Sequence, residues 1–354
     1  MRKSQTKGYL LEIVLERLLK VNGYNVISEP NEDDIVRKGN GLNVVGRGAL
    51  HQFDSLGTLK STPPFMYPLR IFLEAKFRKD RTGIDVVRRG VGILQDINTN
   101  YSTVNMTEYQ LTLPRYNYNY VVFSTSGFSK EAQKYSIAHK IYLVDLRSQF
   151  IHLKIGIEAI VDLWFNTYSN GGTITKERFQ RLSDYFKKIL SYPNQNINSN
   201  YAVPVNNEIH GLINEMLDEI SQKPIYLANT NSSQLVPLIP DNNDQFIESL
   251  KISPHQRVII TRNNQENTWT VIGRENTENG FILSFELPEI FLNYILSDNN
   301  NFDKMAYNVK EEFLSKFTFI AYLGNDENPT ICTLTFDKDA TKRLVAEINN
   351  GSQQ

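Results

Sequence analysis

Apolar positions along this chain recur with two different periods, and the changes of period mark out its elements. The opening segment has a spacing of three to four, which predicts a helix over residues 6–22 stopped by Gly23. Apolar residues cover most of its circumference, so the helix is expected to be buried. Its polar stripe is Glu12, Glu16 and Lys20, at four-residue spacing. Strands are expected near 42–46 and 49–56, separated by the Gly46-Arg47-Gly48 turn. After the loop TPPFMYP the period is two: Leu69, Ile71, Leu73, Ala75 and Phe77 fall on one face of a strand, Arg70, Phe72, Glu74 and Lys76 on the other.

Helical spacing returns in IDVVRRGVGILQDI, through Ile84, Val87, Val91 and Leu94, with a basic shoulder at Arg88 and Arg89. A loop rich in Tyr and Asn follows. The run YNYVVFSTSGFSKEAQKYSIAHKIYLVDL then reads as strand, turn, helix, strand, with Ser129 as N-cap and Glu131 in the first turn. That is a βαβ unit, so part of the sheet should be parallel. Helices are expected near 150–167 and 175–191.

Residues 192–206 are rich in Asn, Ser and Pro and lack periodicity, as a linker does. Beyond them come a helix over 208–221, strands in PIYLAN, QRVIIT, TWTVIG and GFILSFEL, further helices, and a closing strand TICTLTF before the helix KDATKRLVAEI. The expected organisation is an α/β domain at 1–194, a linker at 195–206 and a separate α+β domain at 207–354, α+β overall.

Composition sharpens this picture. A chain of 354 residues exceeds one typical core. The single cysteine, Cys332, excludes an internal disulfide and suits a reducing compartment. No apolar run approaches bilayer length, and the amphipathic, acid-bearing start is unlike a signal peptide, so a cytosolic protein is expected. The net charge of −1 conceals a division: residues 1–194 carry 27 Lys and Arg against 18 Asp and Glu, and residues 195–354 carry 11 against 21. A cationic first half is what a polyanion partner such as DNA requires, although two oppositely charged domains docking on each other would show the same split.

Glu74 and Lys76 side by side are ordinary on an exposed strand face. Asp54 changes that reading. If the strands at 49–56 and 69–77 form a hairpin, Asp54 and Glu74 lie side by side with Lys76 next to them. Two carboxylates at one point repel unless a cation lies between them, and hard oxygen ligands with room for water suit Mg²⁺, for which Mn²⁺ can substitute. The ion would polarise a scissile phosphate and the lysine would stabilise developing negative charge.

Asp54 followed by Glu74-Ala75-Lys76 resembles the PD-(D/E)xK nuclease superfamily, and within it the Mrr-like restriction endonucleases. GYLLEIVLERLLKVNGYNV is similar to that family's opening helix, and VVFSTSGFSKEAQKYSIAHKIYLVDL to its late βαβ segment. The Pro that often precedes the Asp is absent here. Over roughly residues 5–150 the resemblance implies a restriction-endonuclease-like mixed central sheet flanked by helices, with endonuclease activity on DNA. It implies Asp54 and Glu74 as metal ligands, joined by the Ala75 carbonyl and by Glu12, and Lys76 as charge stabiliser.

Around this centre stand further candidates. Gln52 shares a strand face with Asp54 and could position water or phosphate, or could equally be a polar side chain at a sheet edge. Arg47 between two glycines could clamp a phosphate or simply serve the turn. Arg78, Lys79, Arg81, Arg88 and Arg89 follow the catalytic strand as phosphate contacts or as a solvated face, and Ser126 lies in a turn where amides could hold a phosphate or where the hydroxyl simply serves the turn. His51 would point away from Asp54, as a structural histidine. Cutting both strands would need two such sites, hence a homodimer or larger assembly, with the C-terminal domain open to a protein partner. The chain has no phosphate-binding Gly-x-x-x-x-Gly-Lys-Ser/Thr loop, no zinc-ribbon spacing and no Gly-x-Ser-x-Gly elbow. The alternatives are a nucleic-acid-binding module of the same fold that does not cut, and a nuclease acting on RNA or repair intermediates.

Overall fold

The computed structural model describes residues 1–31, 34–39, 41–62, 66–100, 102–106, 109–113, 116–191, 206–232, 234–262, 268–273, 280–296, 302–324 and 329–340. It divides into two units, Met1–Ser221 and Gln222–Gln354. No helix among the described residues is long and apolar enough to cross a membrane.

The first unit opens with helix α1 (Lys3–Val21), whose residues Leu10, Leu11, Ile13, Val14, Leu15, Leu18 and Leu19 are all buried. Gly23, at φ +82°, turns the chain out of it. Strands β1 (Tyr24–Val26), β2 (Ile35–Lys38), β3 (Gly41–Val45), β4 (Leu50–Gln52), β5 (Ser55–Leu59) and β6 (Leu69–Lys76) follow, then helix α2 (Ile84–Asn98). Next come β7 (Ser102–Met106), β8 (Tyr109–Leu113), β9 (Asn117–Ser124), α3 (Lys130–His139), β10 (Tyr142–Asp145), α4 (Ile151–Tyr168), α5 (Lys176–Ser191) and α6 (Asn207–Gln222).

The main sheet has the order β1-β5-β6-β9-β10. Its first two pairings are antiparallel and the last two parallel. The sheet is therefore mixed, and the expected βαβ unit is β9-α3-β10. Phe72 and Tyr120 stack in its centre, their rings 4.9 Å apart, in a cluster with Val86 and Val87 of α2 and Ala132 of α3. Helix α1 lies against β1, β5 and β6 and packs on α4 and α5. A helix apolar round most of its circumference needs such burial on several sides.

Three expectations are corrected here. The strand expected over 49–56 is broken at Phe53 and Asp54. Phe53 turns into the core, edge-on to Phe72, so β4 stays in a small sheet of order β2-β3-β4 while β5 enters the main sheet. The Tyr- and Asn-rich loop contains the hairpin β7-β8. The domain boundary shifts as well, because α6 groups with the first unit. Met216 of α6 fills the space above Gly156 of α4, Tyr185 of α5 bonds to His210, and Arg17 of α1 donates to Ser221 at 3.3 Å. Residues 192–205, most of the expected linker, lie outside the described residues.

The second unit is a mixture of strands and helices, as expected, but its sheet closes. Its elements are β11 (Tyr226–Thr230), β12 (Leu235–Pro240), α7 (Asn243–Ile252), β13 (His255–Arg262), β14 (Trp269–Gly273), β15 (Phe281–Phe285), α8 (Glu289–Leu296), α9 (Phe302–Glu312), β16 (Lys316–Ala321) and β17 (Thr330–Phe336). The strands form a closed barrel in the order β11-β12-β15-β14-β13-β17-β16. Inward positions alternate, as in Trp269 and Val271 or Phe281, Leu283 and Phe285, and the core also takes in Phe246, Phe317 and Phe319. Among the described residues, closure leaves no barrel strand at an open edge. The expected final helix lies mostly outside the described residues, which end at 340.

Candidate active site

The antiparallel ladder between β5 and β6 stops at Ser55 opposite Leu73, while β6 continues beside β9 to Lys76 opposite Ser124. Past the stop, the backbone of β6 loses its partner on the β5 side. Asp54 fills the gap. Its amide donates to the Leu73 carbonyl at 3.3 Å, and its Oδ2 accepts the Ala75 amide at 2.7 Å. The side chain thus takes the place of a ladder bond, and the carboxylate is fixed beside the segment Glu74-Ala75-Lys76.

Glu74 is 8% exposed. Its Oε1 accepts from the Lys76 ammonium and, at 2.7 Å, from Nη2 of Arg89 on α2. Its Oε2 accepts from the Tyr120 hydroxyl at 3.1 Å. Lys76 Nζ also donates to the Ala75 carbonyl at 3.3 Å. These bonds gather the Glu-x-Lys pair, the Asp54 carboxylate, a backbone carbonyl and a guanidinium at one end of one strand.

Burial and the crowding of acids raise two of the site's carboxyls. Burial pushes the Asp54 carboxyl up to about 6, and the Glu74 charge adds to this, against the Ala75 amide, Lys76 and Arg89. Glu12, half-buried on α1, is pushed up to about 8 by burial, then by the charges of Asp54 and Glu16. Lys76 pulls it back and Glu74 raises it further. Glu12 thus belongs to the same electrostatic cluster, and both it and Glu16 are half-buried. The Tyr120 hydroxyl is raised by burial and by Glu74, which keeps it a donor.

The donor set fits a hard divalent cation in kind. Mg²⁺ is commonly held by one or two carboxylates with water completing its shell, and Asp54, Glu74 and the Ala75 carbonyl are such oxygens. They do not form a finished cage: among the described residues no three His, Cys, Asp or Glu side chains converge closely enough to hold a metal ion.

The remaining candidates disperse. Gln52 is exposed on β4, opposite Asn43, with its side chain over Gly41; the turn at Phe53 carries it away from Asp54. Arg47 is exposed in a loop bound to the end of α2: its amide donates to the Asp96 carbonyl at 3.2 Å, and the Gly48 and Ala49 amides donate to the Asp96 carboxylate. His51 pairs with that carboxylate at 2.7 Å, the structural role expected of it, and this bond is the main cause holding Asp96 low.

Arg78, Lys79 and Arg81 are exposed on the segment after β6. Its backbone is pinned by hydroxyls, Thr125 accepting from the Arg78 amide at 3.2 Å and Ser126 donating to the Asp80 carbonyl at 2.6 Å. Ser126 is therefore buried and engaged inside the turn, rather than open to a phosphate. Arg88 lies over the Tyr135 ring of α3, 5.7 Å from its centroid. Arg89, read from the sequence as a surface cation, is bound to Glu74. The β6-β9 register, Phe72 opposite Tyr120, brings the Tyr120 hydroxyl to Glu74, a contact with no local signal in the sequence.

No family model matches the chain, and no curated protein matches it. One solved structure is similar to it, that of a protein of unknown function, AF1548, at 14% identity and a TM-score of 0.32, covering 60% of this chain and 98% of that one. A likeness of that size carries nothing about fold or activity.

Proposed function

We propose that the first unit is a Mg²⁺-dependent DNA endonuclease of restriction or phage-defence type, built on a restriction-endonuclease-like sheet. The observation that carries this reading is the meeting of Asp54, Glu74 and Lys76 where the β5-β6 ladder ends. Asp54, Glu74 and the Ala75 carbonyl would hold Mg²⁺ or Mn²⁺, with Glu12 close enough in charge to join through water. The ion when bound supplies Lewis-acid polarisation of the phosphate and a more acidic water.

The chain's own groups do the rest. The Lys76 ammonium, oriented by Glu74 and the Ala75 carbonyl, stabilises negative charge as it develops on the phosphate. Arg78, Lys79 and Arg81, on a backbone fixed by the Thr125 and Ser126 hydroxyls, bind flanking phosphates without reading sequence. The acidic barrel unit serves assembly, regulation or target sensing, and a homodimer brings two sites to the two strands.

A second reading is favoured by Glu74 itself, whose oxygens are already engaged by Lys76, Arg89 and Tyr120. A carboxylate so satisfied suits a nucleic-acid-binding module that does not cut. Incubating the purified protein with plasmid, linear, methylated and single-stranded DNA, and with RNA, in Mg²⁺ or in EDTA separates the two. Cleavage of a DNA in Mg²⁺, abolished by Asp54→Ala, supports the nuclease. Binding without cleavage of any substrate supports the silent module, and cleavage of RNA alone keeps the site but changes its substrate.

A further inference from the structure

Glu74 already holds two cations, and they are held differently. Lys76 belongs to the same strand, its side chain is 14% exposed, and it is bonded to the Ala75 carbonyl as well. Arg89 reaches over from α2 with 55% of its side chain in solvent, and among the described residues its hydrogen-bond partner is Glu74. An ion pair with one partner so exposed contributes little net stability, so it is easily exchanged. It sits on Oε1 of Glu74, and a divalent ion bound by that carboxylate would repel the guanidinium.

We infer that Arg89 is the resident counter-ion of the acid site in its metal-free form: it neutralises Glu74 until a divalent cation arrives, and that cation displaces it. The inference rests on the reading of Asp54 and Glu74 as metal ligands. It gives Arg89 a role in controlling the loading of the site, apart from any contact with phosphate. Arg89 brings its positive charge to the buried Glu74 carboxylate from a side chain that is itself 55% exposed.

Calorimetric titration of Mn²⁺ alone into the full-length protein and into Arg89→Gln tests this without reference to activity. With the competing charge gone, Arg89→Gln binds Mn²⁺ about fivefold more tightly, the change expected for loss of one exposed ion pair. Arg181→Gln, which removes a charge exposed on α5, leaves the affinity unchanged. If Arg89→Gln does not fold, Arg89→Ala carries the same expectation. Equal or weaker Mn²⁺ binding by the Arg89 variant overturns the inference and leaves the metal reading intact. The same tightening in Arg181→Gln reduces the effect to net charge and also overturns it. Absence of Mn²⁺ binding in every variant removes the metal reading and the inference with it.

Discussion

The carboxylate of Asp54 rests on the backbone amide of Ala75, the residue that separates Glu74 from Lys76. This bond fixes one oxygen of Asp54 and sets the carboxylate's direction from the backbone, not from a mobile side-chain partner. An amide at position 54 preserves that acceptor while removing the charge. Asp54→Asn is therefore expected to fold with an unchanged circular-dichroism spectrum, yet to lose about 100-fold or more in Mg²⁺-dependent cleavage, as removal of one charge-stabilising group does. Initial rates on a plasmid substrate measure it, and a variant cutting at the unmodified rate would exclude Asp54 from the chemistry.

The raised acids make a pH prediction. Asp54 holds its proton up to about 6 and Glu12 up to about 8, from ordinary values of 3.8 and 4.5. Over that window the unfolded chain releases these protons first, so the folded state binds more of them and stability falls as pH rises. In EDTA, the melting temperature should decline between about pH 4 and about pH 8 from these two groups and level off above. Glu12→Gln and Asp54→Asn should each flatten the decline. Saturating Mn²⁺ should oppose it, because metal ligands must be deprotonated. Scanning calorimetry at constant ionic strength reads the slope; an equal slope in the unmodified protein and Glu12→Gln would show that Glu12 titrates normally.

Much of the first unit was legible because its elements carry clean periods. The alternation of LRIFLEAK, the N-cap at Ser129 and the encircling apolar surface of α1 each reappear in the structure as β6, the βαβ helix and a buried helix. What failed to show were features decided by tertiary contact. Phe53 breaks a run that alternates well enough to be one strand, because its ring is needed against Phe72. The strand β12 has the sequence LVPLIP, whose prolines argue against a strand, and barrel closure has no local signature. Within the candidate site, the Asp and the Glu-x-Lys pair could be read in advance, whereas Arg89 and Tyr120 reach Glu74 only through the packing of α2 and the register of β9.

Tyr120 offers a way to test whether the orientation of Glu74 matters. Its hydroxyl is the partner of Oε2, and its ring is stacked on Phe72 in the core. Tyr120→Phe keeps the ring and removes the bond. The expected loss of stability is about 1 kcal/mol, the usual net value of a hydrogen bond to a charged group less the desolvation it relieves. Cleavage should fall about tenfold in kcat with KM unchanged, as for loss of a partner that orients a ligand. A KM increase alone would mean that Tyr120 meets substrate instead.

Stability and chemistry sit at opposite ends of β6. Arg70, at the other end of β6 from the site, is 3% exposed, pairs with Asp34, and donates to the Tyr118 hydroxyl at 2.7 Å and to Thr58 Oγ1 at 3.1 Å. Its guanidinium also lies 3.4 Å from the centre of the Tyr116 ring. Asp34 stands just before β2, so the pair ties the small sheet to the main one. Asp34→Ala leaves a buried guanidinium without its counter-charge, and the expected cost is about 3–5 kcal/mol. Replacing both partners with apolar residues, as in Asp34→Leu with Arg70→Met, should recover a large part of that loss, because no buried charge remains. Arg70 and Glu74 are four residues apart on an extended strand, about 13 Å, so Mn²⁺ affinity at a temperature where Asp34→Ala is folded should match the unmodified protein. Denaturant melts give the stability and calorimetry the affinity. If the single variant lost Mn²⁺ binding while still folded, the network at the start of β6 would have to be counted as part of the site.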